Sequence, residues 1–368
     1  CSITRICGCY VDGEKNKKTE FEEAFLSLPE EEIFKYFELL RKTLSGSLGK
    51  NLLNLDFPLA SEQEGGTQAA LLALRDSKLK DDALIEEFYD RVINTYEYVG
   101  NYLILLIHDA YDVPGKTTDG LTMDDASDTV FEYIMCCICP VNLSKPGLSY
   151  DNINNEFHNR IRDWVVEMPE TGFLFPSFND RATDIHSTLF YSKNPEEAHS
   201  EFVENILGCT MPLSAGTQKE AFQALIEETL GDEVEYEVVK NIHENLTEMI
   251  EEHKEIPEPL TLDKHQVKSL FEKSGVKEEK LTDFDKLYDA AAGEDTSLFV
   301  NNVANVRTFE VKTPDVVVKV NPERADLVNT LQIDGKRCLV IEINDHVEVN
   351  GITIHQGVSL EDVADEEE

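Results

Sequence analysis

The sequence predicts an α+β protein, with a sheet-containing N-terminal region and flanking helices, a helical middle and a small C-terminal antiparallel β unit. Three observations favour this class. Short apolar runs typical of buried strands occur in the first half, helical periodicity dominates residues 195–293, and strands joined by Asp334-Gly335 and Asn350-Gly351 return near the end. The expected divisions are an α+β domain with a central sheet at 1–194, a mainly helical region at 195–304, a β unit at 305–358 and an acidic tail at 359–368.

The first elements follow from alternation and helical spacing. Residues 2–11 alternate well enough for a strand, and Asp12-Gly13 indicates the turn that leaves it. A helix is expected after Pro29, because its fixed φ suits a first turn and the following glutamates favour the positive end of the helix dipole. Apolar residues at helical spacing predict a second helix over residues 81–96.

The central sheet is predicted from two apolar runs. Residues 102–107 are too short and too apolar for anything but a buried strand, and residues 130–141 indicate another. A polar stretch connects them, and shorter apolar runs follow at residues 164–166 and 172–175. Because helices precede these strands, we expect the first region to be a sheet flanked by helices.

Helix signals dominate the middle of the chain, and strand signals dominate its end. Asp263 and Gln266 form a capping-box pattern ahead of an apolar stripe, and Gly275 supplies a left-handed residue after that helix. A preceding stripe consists of Val239, Ile242, Leu246, Met249 and Ile250. The last predicted strands are residues 307–312, 315–320, 337–343 and 346–349.

Charge and cysteine usage narrow the functional classes. The chain carries 33 Lys and Arg against 73 Asp and Glu, a formal net charge of −40, which disfavours bulk attraction to nucleic acids or anionic membranes and leaves open a local basic groove. Eight cysteines without a disulfide-type spacing indicate a reducing compartment. No membrane-length apolar run or leader pattern occurs, so we expect a cytoplasmic protein without a membrane partner. The start at Cys1, without an initiator methionine, predicts a trimmed N-terminus.

The cysteines offer one metal hypothesis. Period-two alternation puts Cys7 with Cys9, and Cys137 with Cys139, on common strand faces, so four thiolates would hold zinc if those faces met. Ligands two residues apart on a strand lack the geometry of a Cys-x-x-Cys turn, and free cysteine is among the most buried residue types. We therefore expect core packing and no bound metal, with the zinc site as the alternative.

The most function-like polar run lies just after an apolar strand, at residues 179–186. Its polar members are Asn179, Asp180, Arg181, Asp184 and His186. In the catalytic interpretation, Asp180 or Asp184 orients His186 as a general base. In the structural interpretation, the run is an Asx-type turn fixed by an Arg–Asp pair.

A second polar group follows the buried strand at residues 102–107. His108 and Lys116 are binding residues in this hypothesis, and Lys116 would meet a phosphate. Neither P-loop spacing nor a dinucleotide-binding glycine pattern is present, so no cofactor is predicted and a plain loop lysine is the competing interpretation. The aspartates of residues 119–128 do not follow the calcium-ligand order of an EF-hand.

Four phrases identify a family resemblance that covers nearly the whole chain. They are RICGCYVDGEKNKK at residues 5–18, AYDVPG at 110–115, CPVNLSK at 139–145 and FNDRATDIH at 178–186. The chain resembles the uncharacterised bacterial family named domain of unknown function 4317. That resemblance implies a bacterial cytoplasmic protein and no established activity.

A pattern-level similarity to nucleoid-associated proteins of the NdpA type lies in LILLI at residues 103–107, ILGC at 206–209, FEVK at 309–312 and VVVK at 316–319. It implies association with nucleic acid or with a nucleoid complex, as a homodimer. We therefore predict a binding or scaffolding protein and not an enzyme. Arg160, Arg162 and Arg181 would gather in a basic groove if nucleic acid is the partner. The alternatives are a hydrolase or nucleotide-handling enzyme using residues 179–186, and an acidic module that recruits basic proteins.

Overall fold

A computed structural model describes residues 3–113, 115–116, 122–123, 129–179, 182–197, 199–231, 234–305, 307–343 and 347–354. About 35% of the chain is helix and 33% is strand, which confirms the predicted α+β class. The chain divides into two compact units, Cys1–Thr217 and Gln218–Glu368. The sequence-based divisions at residues 194 and 304 do not coincide with this boundary. The predicted acidic tail lies outside the described residues.

The helices, in chain order, are α1 Glu30–Thr43, α2 Thr67–Asp76, α3 Asp82–Thr95, α4 Ser200–Phe202, α5 Ala215–Leu230, α6 Tyr236–Glu252, α7 Lys264–Lys273, α8 Phe284–Ala292 and α9 Val300–Val303. The strands of the first unit are β1 Ile3–Val11, β2 Lys17–Ala24, β3 Leu52–Asp56, β4 Asn101–Val113, β5 Gly115–Lys116, β6 Thr122–Met123, β7 Thr129–Leu143, β8 Leu148–Asp151, β9 Glu156–Asn159, β10 Trp164–Val166, β11 Thr171–Phe175, β12 Ser177–Asn179, β13 Ala182–Asp184 and β14 Ser187–Ser192. Those of the second unit are β15 Thr261–Leu262, β16 Leu298–Phe299, β17 Phe309–Lys312, β18 Val317–Val320, β19 Val328–Ile333, β20 Lys336–Ile341, β21 Val347–Val349 and β22 Ile352–Ile354.

One antiparallel sheet organises the first unit. Its strand order is β2-β1-β4-β7-β11-β14-β3, and β10 pairs with β7 outside this path. The two central strands, β4 and β7, pair from Asn101 opposite Val141 to Val113 opposite Thr129. Both predicted apolar strands are therefore present at the centre of the sheet, and both extend beyond the predicted residues.

Both faces of this sheet are covered, which explains the continuous apolar run in β4. Ile104 and Leu106 lie in a core that includes side chains of α2 and α3, which we name the α3-side core. Leu103 and Leu105 lie in a core that includes side chains of α1, which we name the α1-side core. Since alternate residues of one strand enter both cores, neither face of β4 needs polar residues.

The edge strand β2 was not predicted from the sequence. Lys17–Ala24 pairs antiparallel with β1 and all its residues are exposed or half-buried. Charged side chains suit the edge of a sheet because they discourage pairing with another chain. The same charges remove the alternation of apolar and polar residues by which a strand is recognised. The sequence therefore predicted only a turn in the region where β2 begins.

The second unit contains most of α5, the helices that follow it and a series of short hairpins. The predicted capping box of α7 is present, because Asp263 accepts from Gln266 N at 2.8 Å and Gln266 Oε1 accepts from Asp263 N at 2.9 Å. Asp334 and Gly335 have φ of +51° and +73° at the β19–β20 turn, as the type I′ geometry of tight hairpins requires. Among the described helices, none has the length and apolarity needed to cross a membrane.

Candidate functional site

The polar run at residues 179–186 forms the β12–β13 hairpin and the turn that follows it. Asp184 Oδ2 accepts from Asn179 Nδ2 at 2.8 Å and from Ser187 Oγ at 2.7 Å, and Asp184 Oδ1 accepts from His186 N at 3.0 Å. Partial desolvation opposes ionisation, but these bonds hold the pKa of Asp184 below its usual value. Asp184 therefore fixes the turn, and the Arg–Asp pair of the structural interpretation stays a prediction. Asp180 and Arg181 lie outside the described residues.

The contacts of His186 contradict the form of the catalytic interpretation in which Asp184 orients its ring, whereas the form that uses Asp180 stays a prediction. Asp184 bonds the backbone of His186, and the carboxylate on the ring is Glu62, whose Oε1 lies 2.6 Å from His186 Nδ1. The hydrogen bond that the ring of His186 makes to the Glu62 carboxylate raises the pKa of His186. The His186 side chain is 67% exposed, so this pair is a surface contact.

His108 lies inside β4 and not at the end of a strand as predicted, because β4 continues to Val113. Its ring is buried, with Nδ1 2.8 Å from Thr4 Oγ1 and Nε2 2.8 Å from Glu132 Oε1. Burial lowers the pKa of His108 although Glu132 opposes this. Since both ring nitrogens have protein partners, His108 is a satisfied core histidine and offers no nitrogen to a ligand. Lys116 lies in β5, and its side chain is outside the described residues.

The four cysteines of the zinc hypothesis do not come together. Cys7 and Cys9 lie in the α3-side core, whereas Cys137 and Cys139 lie in the α1-side core on the opposite face of the sheet. Burial raises the pKa of Cys7 to about 11 and that of Cys9 to about 12. Within the described residues, no group of three or more His, Cys, Asp or Glu side chains is arranged to hold a metal ion.

The two described arginines of the predicted basic groove lie beside the β8–β9 hairpin. Arg160 N donates to Gly147 O at 2.9 Å, and Arg162 Nε donates to Ser144 O at 2.6 Å. Both are exposed. The third arginine of that hypothesis, Arg181, is outside the described residues, so the groove stays a prediction.

A ligand-sized cavity lies entirely within the second unit. Its volume is about 530 Å³, and α5, α6, β17 and the turn at Pro322–Leu327 supply its walls. Ligand sites in proteins commonly have volumes of about 300–1,000 Å³. The polar side chains that line it are Lys219, Gln223, Tyr236, Lys240, His243, Glu244, Thr247, Asn305, Thr308, Glu310 and Lys312.

Helix α6 contributes the most deeply placed of these polar groups. Lys240, His243, Glu244 and Thr247 occur at spacings of three and four residues, which puts them on one face of the helix. The Lys240 side chain is 9% exposed; its Nζ donates to Asn329 Oδ1 at 3.0 Å and lies 4.0 Å from Glu244 Oε1. These contacts hold the end of the Lys240 side chain in place at the cavity wall.

Burial sets the protonation of the two other ionisable groups on this face. Desolvation lowers the pKa of His243, and the nearby Lys219 lowers it further, so the ring is neutral at pH 7. Desolvation also raises the pKa of Glu244, while Lys240 opposes this. On the facing hairpin, Glu310 pairs with Lys319 at 3.0 Å. Three lysines line the cavity against two glutamates; Glu244 lies 4.0 Å from Lys240, and Glu310 pairs with Lys319, which is not a lining residue.

Aromatic rings form one apolar wall of the same cavity. The Phe309 ring lies 6.4 Å from those of Tyr236 and His243, at interplanar angles of 75° and 67°. The Tyr236 hydroxyl donates to Val328 O at 2.9 Å, which fixes that ring. The cavity therefore has lysine side chains on one part of its lining and aromatic rings, on which a planar group can lie, on another.

Sequence reasoning missed this site. The spacing Lys240-x-x-His243-Glu244-x-x-Thr247 was available as a signal, because it adjoins the apolar stripe of the same helix. A polar helix face is normally solvated, however, and only the position of β17 over α6 turns this face into a cavity wall. No local pattern indicates that packing.

The fold and site define an α+β protein that carries a ligand-sized cavity in its second unit. The chain belongs to the family described as Domain of unknown function (DUF4317), whose model matches residues 1–352. This confirms the resemblance drawn from the four sequence phrases. Among curated proteins, none shows significant similarity to the chain.

Proposed function

We propose that the chain is a binding protein whose second unit takes a small phosphate-bearing ligand with a planar ring, of the nucleotide class. The observation that supports this most directly is the placement of Lys219, Lys240 and Lys312 around a cavity of about 530 Å³ in a chain of net charge −40. In so acidic a protein, a cavity with an excess of lysines selects anions locally against the field of the whole molecule.

Phosphate is the anion that fits this chemistry. Lysine ammonium groups act as point charges on phosphate oxygens, and each has three donors. Lys240 Nζ donates one hydrogen bond to Asn329 and lies near Glu244. These contacts keep the Nζ group in place before the ligand binds. The neutral His243 adds one N–H donor, and an anion beside it would favour the protonated ring.

The aromatic wall of the cavity supports a planar ring in the ligand. Phe309 and Tyr236 offer ring surfaces on the side of the cavity formed by β17 and α6. Stacking of a base on an aromatic side chain contributes about 1–3 kcal/mol. Glu244 and Thr247 add hydrogen-bonding groups of the kind that sugar hydroxyls require.

This proposal keeps the binding role predicted from the sequence and gives it a location. Association with nucleic acid would use the same phosphate and base chemistry, so a free nucleotide and a single strand are two sources of one ligand type. The catalytic hypothesis at residues 179–186 gains no support from the contacts of Asp184 and His186. Recruitment of basic proteins by the acidic surface stays a prediction.

The experiment is isothermal titration of the full chain with four probes: ADP, adenosine, inorganic pyrophosphate and a short single-stranded oligothymidylate. Lys219→Met and Lys312→Met test the two exposed cavity lysines, and Lys240→Met tests the buried one. Lys286→Met is the matched control, because Lys286 is an exposed lysine on α8 that pairs with Asp283 and does not line the cavity.

We expect ADP to bind more tightly than adenosine or pyrophosphate, with an affinity that falls as salt rises. Exposed ionic contacts are worth about 0.2–1 kcal/mol, so Lys219→Met and Lys312→Met should each weaken binding up to about fivefold. Lys240→Met should weaken it about 10- to 100-fold, since bonds to charged groups contribute about 1.5–3 kcal/mol. Binding of oligothymidylate alone would assign the site to nucleic acid. Binding of none of the probes, or binding unchanged in all three cavity variants, would refute the proposal.

A further inference from the structure

A second surface of the chain is independent of the cavity. Residues 144–168 of the first unit, here called the arm, contain the β8–β9 hairpin and β10. Every residue from 152 to 168 is exposed. The large apolar side chains that the arm exposes are Leu148, Tyr150, Ile153, Phe157, Ile161, Trp164, Val165, Val166 and Met168.

The apolar side chains of the arm are ordered on a regular framework. Tyr150 and Phe157 are opposite each other in the hairpin, and their ring centroids lie 5.3 Å apart. Leu148 is two residues from Tyr150 on the same strand, so it shares that face. At the hairpin turn, Ile153 is 88% exposed. This arrangement is a pre-formed surface and not a loose apolar loop.

Strand β10 carries the only tryptophan of the sequence. Trp164 is paired with Leu143 of β7, and its side chain is 56% exposed. Among the described strands, β7 is the one partner of β10, so the other edge of β10 is open. An unpaired strand edge that carries an exposed aromatic ring is typical of a surface that pairs with another chain.

The charge of the arm differs from that of the whole molecule. Three basic residues, Lys145, Arg160 and Arg162, accompany four acidic ones, Asp151, Glu156, Asp163 and Glu167. The arm is therefore close to neutral in a chain of net charge −40. Two copies of so acidic a chain repel each other least at a surface that is close to neutral, such as the arm. The arm also carries both basic and acidic side chains, which can form ion pairs between the copies.

We infer that the arm is the surface through which two copies of the chain form a homodimer. A two-fold interface uses the same patch on both copies, so Arg160 and Arg162 of one copy face acidic arm residues of the other. The mixed charges of the arm are self-complementary in the way this symmetry demands, and the exposed aromatic rings supply the apolar centre.

The apolar area of the arm agrees with this assignment. Tyr150, Phe157 and Trp164 are 55%, 71% and 56% exposed, and aromatic side chains present about 150–250 Å² each, so these three rings expose roughly 270–460 Å². The six aliphatic side chains add to this figure. The three rings alone thus reach the size of a functional apolar patch, and the ~800 Å² per partner of a stable interface requires the rest of the arm as well.

The test is sedimentation equilibrium of the full chain over a range of concentrations and salt. Phe157→Asp and Trp164→Asp place a charge at the centre of the proposed interface. Leu59→Asp and Val99→Asp are matched controls, because these residues are 80% and 100% exposed and lie outside the arm. Far-ultraviolet circular dichroism of all four variants verifies that they fold.

We expect a dimer of the unaltered chain that tightens as salt rises, because salt screens the repulsion between two copies of charge −40. Each arm variant should weaken the dimer at least tenfold, and each control should leave it unchanged. A chain that is monomeric throughout would overturn the inference, as would a dimer that neither arm variant weakens. A monomer that co-sediments with phosphatidylcholine vesicles would also overturn it and would assign the arm to a lipid surface.

Discussion

Leu105 and Leu106 allow a direct test of the sheet with two covered faces. They are adjacent in β4 and both fully buried, yet Leu105 lies in the α1-side core and Leu106 in the α3-side core. Replacing either by alanine removes buried apolar groups and leaves a cavity, which costs about 2–5 kcal/mol. Both variants should therefore lose stability to a similar degree, although neighbouring strand positions commonly differ greatly in burial.

The size of the expected shift follows from the size of the first unit. Cys1–Thr217 lies in the range of 150–250 residues, in which a change of 1 kcal/mol moves the unfolding midpoint by about 2–4 °C. Leu105→Ala and Leu106→Ala should thus lower the midpoint of the first unit by about 4–20 °C. The assay is differential scanning calorimetry of the full chain, in which the transition that these variants move identifies the first unit.

Leu59→Ala is the matched control, because the same side chain is 80% exposed there, outside the arm, and its removal should change stability by less than about 0.5 kcal/mol. If Leu105→Ala behaved like this control, the helix α1 would not cover its face of the sheet. If Leu106→Ala lost no more stability than the control, helices α2 and α3 would not cover their face of the sheet. Equal, large losses in both variants are the only result that agrees with burial on both faces.

Three further predictions concern single interactions. Asp263→Ala removes the capping box of α7 and should lower the free energy of unfolding of the second unit by about 1 kcal/mol in urea titrations, whereas Asp263→Asn should retain most of it. Burial lowers the pKa of His243 below its ordinary value of 6.5, so the unfolded state binds a proton more readily than the folded state. The free energy of unfolding should therefore fall as the pH drops below about 6.5. A His243→Gln variant that kept the whole of this pH dependence would contradict the burial of His243. Glu62→Gln should lower the pKa of His186 in an NMR titration, since the bond to Glu62 raises it, and an unchanged value would show that this pair does not form in solution.

Local features were readable from the sequence because their causes are local. The capping box of Asp263 and Gln266 depends on two side chains three residues apart, and the Asp334-Gly335 turn depends on residues that tolerate positive φ. The central strands were recognised because a continuous apolar run of that length requires cover on both faces. The family phrases were specific enough to identify the family that the match to residues 1–352 shows.

Part of the polar turn was also predictable. Asn and Asp readily bond nearby backbone groups, and Asn179 and Asp184 do form the turn of the structural interpretation. The partner of His186 was not predictable, because Glu62 is 124 residues away in the chain. The same distance effect hides the role of His108, whose two partners come from β1 and β7.

The sequence by itself determined the charge, the α+β class, the local turns and caps, and the strands at the centre of the sheet, because composition, periodicity and short-range hydrogen bonding fix these. Only the tertiary structure separated Cys7 from Cys139 on opposite faces, placed β2 at the sheet edge and set β17 over the polar face of α6. Strand pairing and helix packing join residues far apart in the chain, and no local pattern encodes which distant surfaces meet.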